Sequence, residues 1–255
     1  MSTIQNSFEG KTVFITGSSR GLGKTFARSF CEAGAKVILH GRDEKRLEQT
    51  TTEFRQAGYD VKSIAFDITD MRAVQIGVDQ IEKNIGPIDI LMNNAGRNIR
   101  DHFLTMSFEN FDTVMKTNLY SIFYVGQAVA KHMVKRKEGK IINICSLLSE
   151  VARPGIPAYA TSKGAAKMLT KAMAVDLAEF NIQVNGIAPG YFATEMNTPL
   201  VENKEFDSWL RNRTPQNRWG DEIELTEAAR FLAGVGTSYM TGQVLIIDGG
   251  ILSSL

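Results

Sequence analysis

The 255 residues carry 29 Lys plus Arg against 28 Asp plus Glu, with 43% hydrophobic and 22% charged positions. A chain of this make-up buries a large core, which excludes intrinsic disorder, and its balanced charge provides no basic field for nucleic acid or an anionic membrane surface. No segment approaches the roughly 18 unbroken apolar residues of a membrane span, and the N-terminus lacks a basic stretch followed by an apolar run. One soluble, cytoplasmic domain over 1–255 is expected, with a small molecule as its partner and neither nucleic acid nor membrane. Cys31 and Cys145 sit in apolar periodic segments and read as small buried hydrophobes; no metal site is expected.

Short β-branched runs at 11–16, 36–40, 61–66, 88–92, 140–145, 182–187 and 244–247 predict seven strands. Between them, 22–33, 44–57, 71–85, 108–135, 158–180 and 222–233 place apolar residues at steps of three and four, which predicts helices. Strands this apolar are covered on both faces, and regular βα alternation requires right-handed crossovers onto a parallel sheet. The expectation is an α/β, doubly wound Rossmann-type domain, a seven-stranded parallel sheet with helices on both faces. The rhythm breaks after residue 187. A long insertion containing Pro189, Gly190, Pro199 and Pro215 intervenes, and its stretch at about 190–215 reads as a substrate loop.

The first strand runs into Thr16-Gly17-Ser18-Ser19-Arg20-Gly21-Leu22-Gly23 and then a helix. Glycines here allow a tight turn and a close approach of backbone N–H groups to a pyrophosphate, with the helix N-terminus adding partial positive charge. The second strand ends Leu39-His40-Gly41-Arg42, with no acid to accept a ribose 2′-OH. Arg20 and Arg42 are candidate partners of a 2′-phosphate, so NADP(H) is favoured over NAD(H); solvated surface charge is the alternative for each.

Tyr159 and Lys163 stand four apart on a predicted helix, so both project from one face. A tyrosine is a poor acid–base near neutral pH unless a cation favours its phenolate, which Lys163 can supply. Ser146 follows the fifth strand at the carboxyl edge, placed to orient a substrate carbonyl. Asn118 is a polar residue amid apolar neighbours. It is either a water-holding relay to Lys163 or an amide bonded to backbone.

Taken in order, Thr16–Gly23, Asn93-Asn94-Ala95-Gly96, Asn118, Ser146, Tyr159/Lys163 and Pro189-Gly190 resemble the short-chain dehydrogenase/reductase family in its compact single-domain form, over essentially the whole chain. The resemblance implies that Tyr159 is the acid–base, Ser146 polarises the carbonyl, Lys163 lowers the tyrosine pKa and grips the nicotinamide ribose, and Asn118 completes a proton relay. It also implies cofactor contacts from Gly17, Ser19, Arg20, Gly21, Leu22, Gly23, Arg42, Asp67, Ile68, Asn94, Ala95, Gly96, Pro189, Gly190 and Thr194, with Ile187 facing the nicotinamide. A homotetramer is expected, the small residues Ala160, Gly164, Ala165 and Ala172 either meeting a partner helix or packing on the chain's own sheet.

A closer likeness, through 132–146, 190–196, 206–220 and 248–250, is to the gluconate 5-dehydrogenase branch, which implies interconversion of D-gluconate and 5-keto-D-gluconate. The chain departs from that branch after Gly96, reading Arg97-Asn98-Ile99-Arg100 in place of Ile-Gln-Arg-Arg. Other readings are a reductase of 3-oxoacyl thioesters or of a deoxy-ketogluconate, and a cofactor-binding regulator without catalysis. A sugar acid offers a carboxylate that a guanidinium matches in pairs of hydrogen bonds. Arg100 and Arg153 are the leading candidates, Arg97 a third, and solvated loop arginines the alternative for all three. Ser146, Tyr159 and Tyr191 complete the expected substrate set.

Overall fold

The computed structural model describes residues 8–254. Seven strands, β1 (Thr12–Ile15), β2 (Lys36–His40), β3 (Val61–Ile64), β4 (Ile90–Asn93), β5 (Gly139–Ile144), β6 (Ile182–Pro189) and β7 (Val244–Ile247), form one sheet. All its pairings are parallel, in the order β3-β2-β1-β4-β5-β6-β7. This is the expected Rossmann-type arrangement. Strand order reverses between β1 and β4, and a crevice opens outside the carboxyl ends of strands at such a reversal.

Nine α-helices complete the described chain: α1 (Gly21–Glu32), α2 (Glu44–Gln56), α3 (Met71–Asn84), α4 (Phe108–Met115), α5 (Ser121–Arg136), α6 (Pro157–Leu177), α7 (Thr198–Val201), α8 (Lys204–Arg213) and α9 (Thr226–Ala233). Side chains alternate across a strand, so each strand serves two cores. Val13, Ile15, Val37, Leu39, Met92 and Ile187 pack with Phe26 and Phe30 of α1, Phe54 of α2 and Leu232 of α9. On the opposite face Phe14, Ile38, Leu91, Ile141 and Val184 meet Val78 and Ile81 of α3, Val129 and Met133 of α5 and Ala174 of α6. Several helices start on side chains suited to capping: Asp43, Asp70, Ser107 and Asn203 each accept from backbone N–H groups of the first turn. No helix among the described residues is long and apolar enough to cross a membrane.

The single helix predicted over 108–135 is a correction. A five-residue π-turn, Lys116–Tyr120, separates α4 from α5 and carries Asn118 at its centre. Such a turn adds one residue and offsets the apolar stripe by one position, a shift within the scatter of a helix-period pattern, so periodicity does not reveal it. The stretch after β6 also gains form: α7 and α8 pack on a small core of Leu147, Leu200, Leu210, Trp219 and Ile251.

Candidate active site

The cleft lies at the carboxyl ends of β1 and β4, with a volume of about 790 Å³. That is in the range of a cofactor site. Gly17 and Gly21 take φ +65° and +50°, which side-chain-bearing residues rarely adopt. At Gly23 a Cβ would be driven into the Gly17 carbonyl and the Asn94 amide. Asn94 braces the turn, its Nδ2 donating to the carbonyls of Thr16 at 3.0 Å and Gly17 at 3.1 Å. The Thr16 hydroxyl in turn accepts from the backbone of Asn94 at 3.0 Å and Ala95 at 3.1 Å. The β1 turn and the β4 loop are thereby one braced backbone, a cradle with room for a dinucleotide pyrophosphate and none for extra side chains.

His40, the buried last residue of β2, ties this turn to β3. Its Nδ1 accepts from Gly17 N at 3.2 Å and Nε2 lies 3.1 Å from the Phe66 carbonyl, so Nε2 carries the proton. Burial holds the imidazole neutral, pushing its pKa down to about 4. Ser18 closes the same corner, accepting from His40 N at 2.9 Å while donating to Ile15 O at 2.8 Å. Sequence reasoning missed this hub. A lone histidine ending an otherwise apolar strand was the available signal.

Ser19, Arg20, Leu22, Arg42, Asp67, Ile68, Ala95, Gly96, Pro189, Gly190 and Thr194, the positions expected from sequence to meet a cofactor, all line the cleft. So do Asp43, Arg46 and Thr69, which were not foreseen. Neither candidate arginine is free: Arg42 Nη1 lies 3.4 Å from Asp67 and Arg20 Nη1 3.1 Å from Glu195. Burial raises the Asp67 carboxyl, but hydrogen bonds from Thr69 and the charge of Arg42 leave it lowered on balance. Ile187, expected to face the nicotinamide, is buried and does not line the cleft, whereas Ile144 and Cys145 do.

Ser146, Tyr159 and Lys163 converge on the same wall. The Lys163 ammonium is 5.8 Å from the centroid of the Tyr159 ring but donates to the Ile144 carbonyl at 2.6 Å. Burial pushes Lys163 down to about 8 and Tyr159 up to about 12, the Ser146 hydroxyl pulling the phenol the other way. The Lys163 charge, expected from sequence to favour the phenolate, is not among the influences on the phenol in this arrangement. With the cation turned toward a backbone carbonyl, desolvation decides the phenol's titration. Ser146 Oγ also accepts from Leu148 N at 3.1 Å, which fixes its rotamer at the end of β5.

Asn118 is fully buried, and its amide is spoken for. Oδ1 accepts from Arg97 N at 2.8 Å, and Nδ2 donates to Arg97 O at 2.9 Å and to Ser162 Oγ at 3.0 Å. Of the two roles open to it, the side chain takes the backbone-bonded one. It pins the loop after β4 to α6 three residues from Tyr159. At Gly96 a Cβ would sit 3.5 Å from Asn118 Oδ1 and 3.8 Å from Lys163 Nζ, ordinary contact distances, so this residue lies beside both groups.

The substrate candidates divide. Arg97 lines the cleft; Arg100, Arg153 and Tyr191 do not, and gather around one another, with Tyr191 close enough to Tyr159 to act on its charge. Burial and the charge of Arg153 lower the Arg100 pKa. Burial raises the Tyr191 hydroxyl while both arginines pull it back. The Arg153 guanidinium lies 5.4 Å over the Phe206 ring of α8, and Tyr191 packs edge-on against Phe206, Trp209 and Trp219. Among the described residues neither Arg100 nor Arg153 pairs with a carboxylate, and Arg153 Nε and Asn98 Oδ1 are buried without partners.

Residues 11–205 match the family model of short chain dehydrogenases. The chain is 49% identical to the gluconate 5-dehydrogenase of Gluconobacter oxydans, over 98% of this chain and 97% of that protein. It is 46% identical to the 5-keto-D-gluconate 5-reductase of Escherichia coli, over 96% and 97% of the two chains. A gluconate 5-dehydrogenase from Burkholderia cenocepacia, solved in complex with NADP and tartrate, superposes with a TM-score of 0.96 at 44% identity, covering 98% of each chain.

Proposed function

The chain belongs to the short-chain dehydrogenase family of oxidoreductases, and on that footing we propose that it interconverts D-gluconate and 5-keto-D-gluconate with NADP(H). The observation that carries the substrate is the pair Arg100 and Arg153, two like charges held together beside Tyr191 with no carboxylate between them. Like charges so placed disfavour each other until an anion arrives. A sugar acid brings one, and it leaves a hydroxyl or carbonyl carbon for the Tyr159 wall. The relatives named for gluconate chemistry, one crystallised with tartrate, support the same substrate class.

NADP(H) is supported by the cleft rim. Arg20, Arg42 and Arg46 surround the end of β2, and the acids there are already engaged: Asp43 caps α2 and Asp67 is held by Thr69. The cradle of Gly17, Gly21 and Gly23 would hold the pyrophosphate, and the rim arginines the 2′-phosphate. When bound, the nicotinamide supplies and accepts the hydride. Ser146 Oγ orients the reacting oxygen, and Tyr159 gives it a proton in reduction or takes one in oxidation. A phenol near 12 keeps its proton at neutral pH, which suits donation to a developing alkoxide. Lys163 supplies positive charge beneath it, and Asn118 positions the Gly96–Arg97 backbone around both.

We also read the protein as one domain that assembles as a homotetramer in the cytoplasm. Ala160, Gly164, Ala165 and Ala172 lie off the buried face of α6, near apolar side chains that remain exposed, Tyr120, Phe123, Met168 and Val175 among them. A second copy of the chain would cover that face.

The test is a panel of sugar acids, an acetoacetyl thioester and an uncharged ketone, followed by nicotinamide absorbance with each cofactor. Reduction of 5-ketogluconate with NADPH well above the others is expected. Efficient thioester reduction with no turnover of 5-ketogluconate would overturn the substrate while leaving the family chemistry standing.

A further inference from the structure

The segment after β6 returns across the mouth of the cleft, where Thr194, Glu195, Met196 and Asn197 join Gly17, Ser19, Arg20 and Gly21 in its lining. Glu195 is the residue that closes the contact. Its Oε1 accepts from Arg20 Nη1 at 3.1 Å, across 175 positions of sequence. Its Oε2 lies 3.8 Å from where a Cβ on Gly21 would stand, directly beside the first residue of α1. α1 has no acidic residue in its first turn and no side-chain cap from Arg20. The carboxylate of Glu195 is therefore the anion at this corner, and it is seated on an arginine assigned above to a cofactor phosphate.

A carboxylate already on the Arg20 guanidinium and close to the start of α1 repels a phosphate arriving at the same place, so each anion weakens the other's contact. Building on the dinucleotide reading, we infer that Glu195 is an intramolecular competitor of the cofactor, an affinity-setting residue whose carboxylate incoming phosphate must displace from Arg20. Both side chains of the pair are more than half exposed, at 62% and 57%, so the contact is weak and readily exchanged.

The inference is tested by titrating NADPH and NADH into wild type, Glu195→Gln and Glu195→Ala at low ionic strength, followed by calorimetry or by nucleotide fluorescence, with no substrate present. Removing the charge should tighten binding about two- to fivefold, the range of a weak exposed ion pair. An equal gain for both nucleotides identifies the pyrophosphate as the displacing group; a larger gain for NADPH identifies the 2′-phosphate at Arg20. Unchanged or weakened binding in both variants overturns the inference. Should wild type bind neither nucleotide, the cofactor reading fails first, and the two failures are thus distinguishable. Glu195 is exposed and off the core, so both variants should retain wild-type circular dichroism and provide a fair comparison.

Discussion

The cleft and the cluster of side chains beside it form two halves of the candidate site, built by different means. On the β1–β3 side the wall is backbone, shaped by glycines and locked by Thr16, Ser18, His40 and Asn94, each bonded to main chain across two strands. Toward α7 and α8, outside the cleft lining, the structure is built of side chains: Arg153 and Tyr191 lie against the rings of Phe206, Trp209 and Trp219, with Arg100 alongside. A backbone wall recognises what every dinucleotide shares. A side-chain cluster is changed by single substitutions, so under the proposed function it is where selectivity among substrates would be set.

Tyr159 stands between the halves and offers the largest effect. Tyr159→Phe should cut turnover on the order of 10²–10⁴-fold while nucleotide titrations stay near wild type, because only the acidic proton is removed. If nucleotide binding collapsed as well, the halves would not be separable.

Arg100→Ala and Arg153→Ala should each lower kcat/KM for 5-ketogluconate by roughly ten- to a hundredfold, the size of one charge-assisted contact. An uncharged ketone should be spared. Equal losses on both substrates would assign the arginines to folding of the α8 region, which thermal melts would register.

Gly23→Ala probes the backbone wall. A Cβ there is directed at the Gly17 carbonyl, which is main chain, and at the Asn94 Nδ2, which two hydrogen bonds to main-chain carbonyls hold in place. Overpacking of this kind costs about 1–3 kcal/mol. The expected outcome is weaker binding of NADPH and NADH alike, by around tenfold, with substrate selectivity unchanged.

The smallest effect at neutral pH comes from His40. Its pKa is depressed to about 4 in the folded chain against 6.5 when exposed. Above 6.5 neither state holds the proton. Between 6.5 and about 4 the unfolded chain takes up a proton that the folded chain refuses, so stability falls as pH falls through that window. Melting temperature followed against pH should show the decline, and His40→Asn should flatten it. An unchanged slope in the variant would remove His40 from its place as a titrating brace.

Much of this was legible in the primary structure, and the parts that were not share a cause. The alternation of strands and helices, the glycine turn after β1 and the Tyr159/Lys163 spacing depend on neighbours in the chain, and local periodicity records those directly. The π-turn at Lys116–Tyr120 offsets the hydrophobic spacing by one position, within the scatter of a helical pattern, and periodicity does not reveal it. The pairing of Arg20 with Glu195, the bond from Lys163 to Ile144, the tautomer of His40 and the gathering of Arg100 with Arg153 join segments brought together only when the sheet closes. Residue types and their spacing thus determined which chemistry the chain can hold. Desolvation and long-range contact, which exist only in the packed molecule, decided the charge each group carries and the partner it meets.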